Sequence, residues 1–294
     1  MSLRRFIALA LCALALVSCS AGKYAARGAY PYPSNPYKPE GTLESVMFPS
    51  SEAKLPYRQA LVYLPPSYAK DTAARYPVLY LFHGARGNET VWIDKGNLLH
   101  DIDSLMAGGA MLPTIVVLPN MNQYNDEDDY GNARLKSALE SFYEVDGTVE
   151  SLFLESVVAP TDSLFRTIPD KAHRAIAGMS IGAMQALHIS ANFPDKFDYV
   201  GMFSPMVRSF LKPGPDNKFY RGLALKQAEQ FTLPPKEYML MIGKTDFFYP
   251  RIRSYSAILK GRGIPCEFIS AEGGHEWYNW EEFCCQFLQR LWRY

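Results

Sequence analysis

The sequence predicts an α/β fold, a mostly parallel eight-stranded sheet with helices on both faces. Three observations lead there. From Thr42 to the C-terminus, short apolar runs alternate with longer helical patterns, and an order of that kind implies parallel strands joined by covering helices. The stretch HRAIAGMSIGAMQALHISANFP, His173 to Pro194, reads as a buried strand, a glycine-rich turn and a helix in direct succession. The chain of 294 residues is 48% hydrophobic, enough to bury one large core.

The chain opens with Arg4-Arg5 and an apolar run from Phe6 to Val17. A charged start and a short apolar stretch make residues 1–18 a signal peptide rather than a spanning helix. The run ends in Leu16-Val17-Ser18-Cys19, which resembles a bacterial lipobox. Cys19 would then carry the lipid and hold the protein to a membrane of the bacterial cell envelope, outside the cytoplasm. Ordinary secretory cleavage and a retained apolar anchor are the alternatives. Residues 19–41 carry small residues and then YPYPSNPYKPEG, with no apolar period, and read as a tether. About 20 residues reach at most ~70 Å when extended.

Residues 42–294 form the domain. Strands are expected at Glu44 to Phe48, Arg58 to Leu64, Val78 to Phe82, Thr114 to Leu118, Arg174 to Ala177, Tyr199 to Phe203, Glu237 to Ile242 and Cys266 to Ile269. The first two have no helix between them, so they should pair antiparallel. Helices are expected at Asn97 to Ala107, Val149 to Phe165, Ile181 to Asn192, Arg221 to Gln230, Arg251 to Arg262 and Trp280 to Trp292.

Charge and composition exclude some functions. Thirty basic residues face thirty acidic ones, and no basic run appears, so nucleic-acid binding has no support. No C-x-x-C or H-E-x-x-H occurs, so no metal is expected. Asp126, Asp128 and Gly131 fit a calcium loop, but Tyr130 and Ser137 stand where ligands should be, so 122–132 reads as a solvated loop. Cys266, Cys284 and Cys285 leave one disulfide or three thiols equally open.

The chemistry should sit at the carboxyl ends of the strands. Gly178-Met179-Ser180-Ile181-Gly182 between strand and helix is a nucleophile elbow. A serine hydroxyl is a weak nucleophile until a base takes its proton. His275, in Glu272-Gly273-Gly274-His275-Glu276-Trp277, is the one histidine that follows a late strand. Asp246 follows the strand before it and gives the order Ser–Asp–His. Glu272 and Glu276 are too near His275 in sequence to reach it from a separate strand end. Two backbone N–H groups should form the oxyanion hole: Ala85, in the loop HGARGN after the third strand, and Ile181, after the serine. Trp92, Tyr249 and Trp277 are substrate-binding candidates suited to a sugar or phenolic ring, with core packing as the alternative.

Together HRAIAGMSIGAMQAL, PVLYLFHGARGNETVW, GKTDFFYP and EGGHEW resemble the esterase branch of the α/β-hydrolases, which includes carbohydrate esterase family 1 with its feruloyl and acetylxylan esterases. The resemblance runs from about Thr42 to the C-terminus. It implies a serine esterase without a cofactor, acting on acyl esters of plant polysaccharides. Ser180 would be the nucleophile, Asp246 the acid and His275 the base. Ala183 stands where the family often has a third glycine. The segment 122–147 matches nothing in that family. A siderophore esterase, an acyltransferase and a non-catalytic glycan-binding lipoprotein remain the other readings.

Overall fold

The computed structural model describes residues 25–29, 37–51, 57–122, 145, 147–207 and 218–293. Nine strands form one sheet: β1 (Ala25–Ala29), β2 (Thr42–Pro49), β3 (Tyr57–Leu64), β4 (Val78–Phe82), β5 (Ile115–Pro119), β6 (Arg174–Met179), β7 (Tyr199–Phe203), β8 (Glu237–Gly243) and β9 (Glu267–Ala271). Their order is β1-β2-β3-β5-β4-β6-β7-β8-β9. The first three and β5 pair antiparallel, and everything from β5 to β9 pairs parallel.

Every residue of β4 through β8 is buried. That is why these strands read as unbroken apolar runs: a central parallel strand is covered on both faces. Alternate side chains feed two separate cores. Tyr80, Ile176 and Leu240 face one core, with Phe153, Met184 and Ile252 from the helices. Leu79, Ala177 and Met241 face the other, with Ile102, Phe283 and Phe287. The helices in chain order are α1 (Val91–Asp94), α2 (Leu98–Ala107), α3 (Thr148–Ser151), α4 (Ala159–Leu164), α5 (Ile181–Asn192), α6 (Leu223–Gln230), α7 (Tyr249–Gly261) and α8 (Trp277–Leu288).

Three expectations need correction. Among the described residues the sheet has nine strands rather than eight, because Ala25–Ala29 pairs with β2 inside the stretch read as tether. Its sequence AARGA has no apolar alternation, so only pairing with a neighbour reveals it. The domain also reaches back before Thr42. The Tyr37 hydroxyl (2.9 Å) and the Glu40 N–H (2.7 Å) both donate to Oδ2 of buried Asp103 on α2, and Tyr63 donates to Oδ1. The expected helix from Val149 to Phe165 is α3, a π-helical turn at Leu154–Val158 and α4. Pro160 lies in the first turn of α4 and has no N–H for the preceding turn, so the ladder shifts there. Cys266, Cys284 and Cys285 are free thiols, and burial pushes Cys266 and Cys285 up to about 12. Among the described residues no helix is long and apolar enough to cross a membrane. The signal sequence 1–18, Cys19 and most of 122–147 lie outside the described residues.

Candidate active site

β6 runs into Ser180 and α5 begins at the next residue. Ser180 has φ 54° and ψ −115°, a conformation L-residues rarely hold. The glycines on either side permit the turn by contact, not by freedom. A Cβ on Gly182 would lie 2.3 Å from the His83 carbonyl oxygen, and one on Gly178 would lie 2.6 Å from the Gly182 carbonyl carbon. Ser180 N–H donates to Phe203 O of β7 at 2.8 Å, which pins the strained residue to the sheet.

The structure brings Ser180, His275 and Asp246 into one line across the ends of β6, β8 and β9. Ser180 Oγ is 2.9 Å from His275 Nε2, and His275 Nδ1 is 2.8 Å from Asp246 Oδ2. The Asp246 side chain is fully buried, and its Oδ1 accepts the Phe248 N–H at 2.8 Å. A carboxylate can only accept, so His275 carries its proton on Nδ1 and turns a lone pair toward the serine. The competing acids are engaged elsewhere. Glu276 accepts the Gly274 N–H at 2.8 Å, and Glu272 pairs with Lys244 at the surface. The loop of His275 is also held by buried Asn279, whose amide donates to Gly274 O at 2.8 Å. Sequence reading missed Asn279, since an asparagine within an aromatic helix carries no local signal of its role.

The loop after β4 passes beside the serine: a Cβ on Gly84 would lie 3.5 Å from Ser180 Cβ. Ala85 follows in that loop. Ile181 is the first residue of α5, where N–H groups lack intrahelical partners and the dipole is positive. Among the described residues neither N–H donates a hydrogen bond. Both remain available to an oxygen that gains charge.

The aromatic candidates divide. Trp92 is 2% exposed, its indole N–H donates to Phe82 O at 3.0 Å, and its ring meets Phe203 and Trp277 edge-on. It is a core residue and not a ligand contact, because its one polar atom is spent inside. Trp277 is half-buried against Trp92 and Trp280, and Tyr249 is half-buried against Phe268. The rings that surround His275 are Phe247 at 4.5 Å, Trp280 at 5.0 Å and Phe248 at 5.5 Å. Phe247 is 66% exposed, a large apolar face left to water beside the imidazole. Its position next to Asp246 is the signal that could have marked it. No group of three or more His, Cys, Asp or Glu side chains able to hold a metal occurs among the described residues.

A parallel sheet in this order, with a strained serine between β6 and α5 and an acid and a histidine at later strand ends, defines an α/β-hydrolase. The chain belongs to the "Putative esterase" family, whose model matches residues 57–290. It is 29% identical over 259 residues to an endo-1,4-beta-xylanase/feruloyl esterase of Xylanibacter ruminicola, covering 86% of this chain. The chain spans 32% of that relative's length. Among solved structures, a ferulic acid esterase from Anaeromyces mucronatus in complex with ferulic acid superposes with TM-score 0.66 at 20% identity, over 90% of this chain and 96% of that one. The enterobactin esterase of Shigella flexneri superposes with TM-score 0.61 at 17% identity, over 88% and 60%.

Proposed function

We propose that the protein is a lipid-anchored serine esterase of the cell envelope that removes acyl groups, acetyl or feruloyl, from plant polysaccharides. The observation that carries the reading is the continuous hydrogen-bonded line Ser180–His275–Asp246. His275 Nε2 takes the Ser180 proton as Oγ attacks the ester carbonyl. Asp246 holds the tautomer and stabilises the imidazolium that forms. The oxyanion is met by the Ala85 and Ile181 N–H groups. His275 then returns its proton to the leaving alcohol, and water, activated by the same imidazole, releases the acid from Ser180.

The substrate class rests on two supports. The Xylanibacter relative is named for both xylanase and feruloyl esterase activity. The rings of Phe247, Phe248 and Trp280 around His275 suit an aromatic acyl group or a sugar. Anchoring rests on the motif ending at Cys19, and mass spectrometry of the mature N-terminus should find an acylated cysteine.

The activity is tested with a phosphonate ester and a panel of substrates. The phosphonate should label Ser180 stoichiometrically, and Ser180→Ala should abolish turnover of p-nitrophenyl acetate. Feruloylated and acetylated xylo-oligosaccharides should be cleaved faster than a catecholate siderophore lactone. The opposite ranking favours a siderophore esterase, and acceleration by an added alcohol favours an acyltransferase. A protein that neither labels nor hydrolyses but binds glycans is a binding module.

A further inference from the structure

The loop after β4 is tied down first at the Gly84 carbonyl. The Gly84 carbonyl oxygen faces two groups, the Gly87 N–H at 3.1 Å and His83 Nδ1 at 2.8 Å. On the far side of the same ring, His83 Nε2 is 2.9 Å from the Met121 N–H. A backbone N–H can only donate and a carbonyl can only accept, so the two contacts together dictate one tautomer. Nε2 is the acceptor and Nδ1 carries the proton. His83 is buried, 4% exposed, and that burial lowers its pKa to about 4, so the ring is the neutral donor–acceptor the contacts require.

The strand end opposite is fixed in turn. Buried Arg58 donates through Nη1 to Asn120 O at 2.7 Å and Asn122 O at 3.0 Å, on either side of Met121. The Asn122 amide donates to Gly87 O at 2.8 Å. The ends of β4 and β5 are therefore braced against each other through the imidazole. Between the two tied glycines, Arg86 sits at φ 61°, in the left-handed region that a residue with a Cβ avoids. The loop is held in a shape it would not choose by itself.

The peptide plane converts this brace into a site property. The Gly84 C=O and the Ala85 N–H belong to one rigid unit, and no peptide bond among the described residues is cis. In a trans peptide the two groups point in opposite directions. Turning the carbonyl toward the imidazole necessarily turns the Ala85 N–H away from it, and Gly84 lies against Ser180. We infer that His83 is a positioning residue for oxyanion stabilisation: by donating from Nδ1 to the Gly84 carbonyl, it aims the Ala85 N–H into the space beside Ser180. The inference rests on the proposed role of Ser180.

The test uses two amide replacements that keep different halves of the imidazole. The amide nitrogen of His83→Asn falls near the place of Nδ1, so it retains the donor to Gly84. The amide of His83→Gln reaches the place of Nε2 and retains only the acceptor for Met121. With p-nitrophenyl acetate, His83→Gln should lose roughly 10²-fold in kcat at unchanged KM, the size of one lost oxyanion donor. His83→Asn should stay within about tenfold of wild type. Equal losses in the two variants, a loss confined to KM, or full kcat in His83→Gln overturns the inference. A measurement on the wild type covers a variant that does not fold. A long-range 1H–15N spectrum at pH 7 should show His83 protonated on Nδ1, and a proton on Nε2 overturns the inference. A wild type whose Ser180 does not react with a phosphonate overturns both this inference and the proposed function.

Discussion

The elbow and the histidine loop hold two parts of one hydrogen-bonded line and are built in opposite ways. Ser180 joins two buried elements: all of β6 and all of α5 except Asn192 are buried. The serine is held by backbone contact, glycine against carbonyl, in the middle of the sheet. His275 follows β9, the edge strand, on which no residue is fully buried. It is held by side chains: a carboxylate on one nitrogen, rings on its faces, and an asparagine beneath its loop. The geometry of Ser180 is therefore tied to fold stability, whereas His275 is placed by side-chain contacts at the edge of the sheet.

That contrast predicts different failures in the two regions. The largest effect is expected at the acid. Asp246→Asn should lower kcat by about 10⁴, because the amide no longer selects the Nδ1–H tautomer or stabilises the imidazolium. The melting temperature should shift by no more than a few degrees. A large drop in melting temperature would break the contrast.

Next is the elbow. In Gly182→Ala the new methyl would lie 2.3 Å from the His83 carbonyl and 2.8 Å from Phe82 Cβ, at the buried end of β4 and the residue that follows it. It should cost about 4 kcal/mol or more of unfolding free energy, measured by urea titration. A folded, inactive protein of wild-type stability would show that the elbow is not a packing element.

The third concerns pH. Two buried histidines, His83 beside the elbow and His188 two turns along α5, have pKa values lowered by burial to about 4 and about 3. The unfolded chain takes up these protons first, so stability is complete above about pH 6.5 and falls as pH drops toward the folded values. Between pH 7 and pH 5 each should remove about 2 kcal/mol. Among the described residues His188 Nδ1 has no hydrogen-bond partner, and its ring lies 4.6 Å from Tyr220. His188→Phe keeps the ring and should halve the loss in urea titrations at the two pH values.

The smallest effect sharpens the comparison at the edge. Phe247→Ala removes a largely exposed ring that touches the imidazole and rests on the edge of the core at Phe248, 4.4 Å away. It should lower kcat/KM for feruloyl esters about tenfold, the value of one aromatic contact. Acetyl esters should change about threefold at most, with stability unaltered. Equal losses on both esters would assign Phe247 to orienting His275 instead.

Much of this was legible because the relevant signals are local. A strand, two glycines around a serine and a helix occupy adjacent positions, and steric exclusion in the turn dictates that spacing. The central strands β4 to β8 appear as apolar runs because both of their faces are covered. The order of Ser180, Asp246 and His275 follows from strand ends in chain order. The sequence also presented His275 as the base by elimination, since His83 belongs to the oxyanion loop, His173 stands at the entry to a strand, and His100 and His188 lie on helices.

Tertiary structure decided what depends on neighbours distant in the chain. β1 exists through pairing with β2, since AARGA has no pattern of its own. Trp92 and Phe247 are both aromatic residues near predicted strand ends, and nothing local says that one is spent on Phe82 O while the other meets water. Burial is a property of what the rest of the chain places against a side chain, and hydrogen bonds such as His83 to Met121, 38 residues apart, form only once the sheet aligns β4 beside β5. Local sterics and hydrophobic periodicity are written in consecutive residues, whereas partner identity is set by packing.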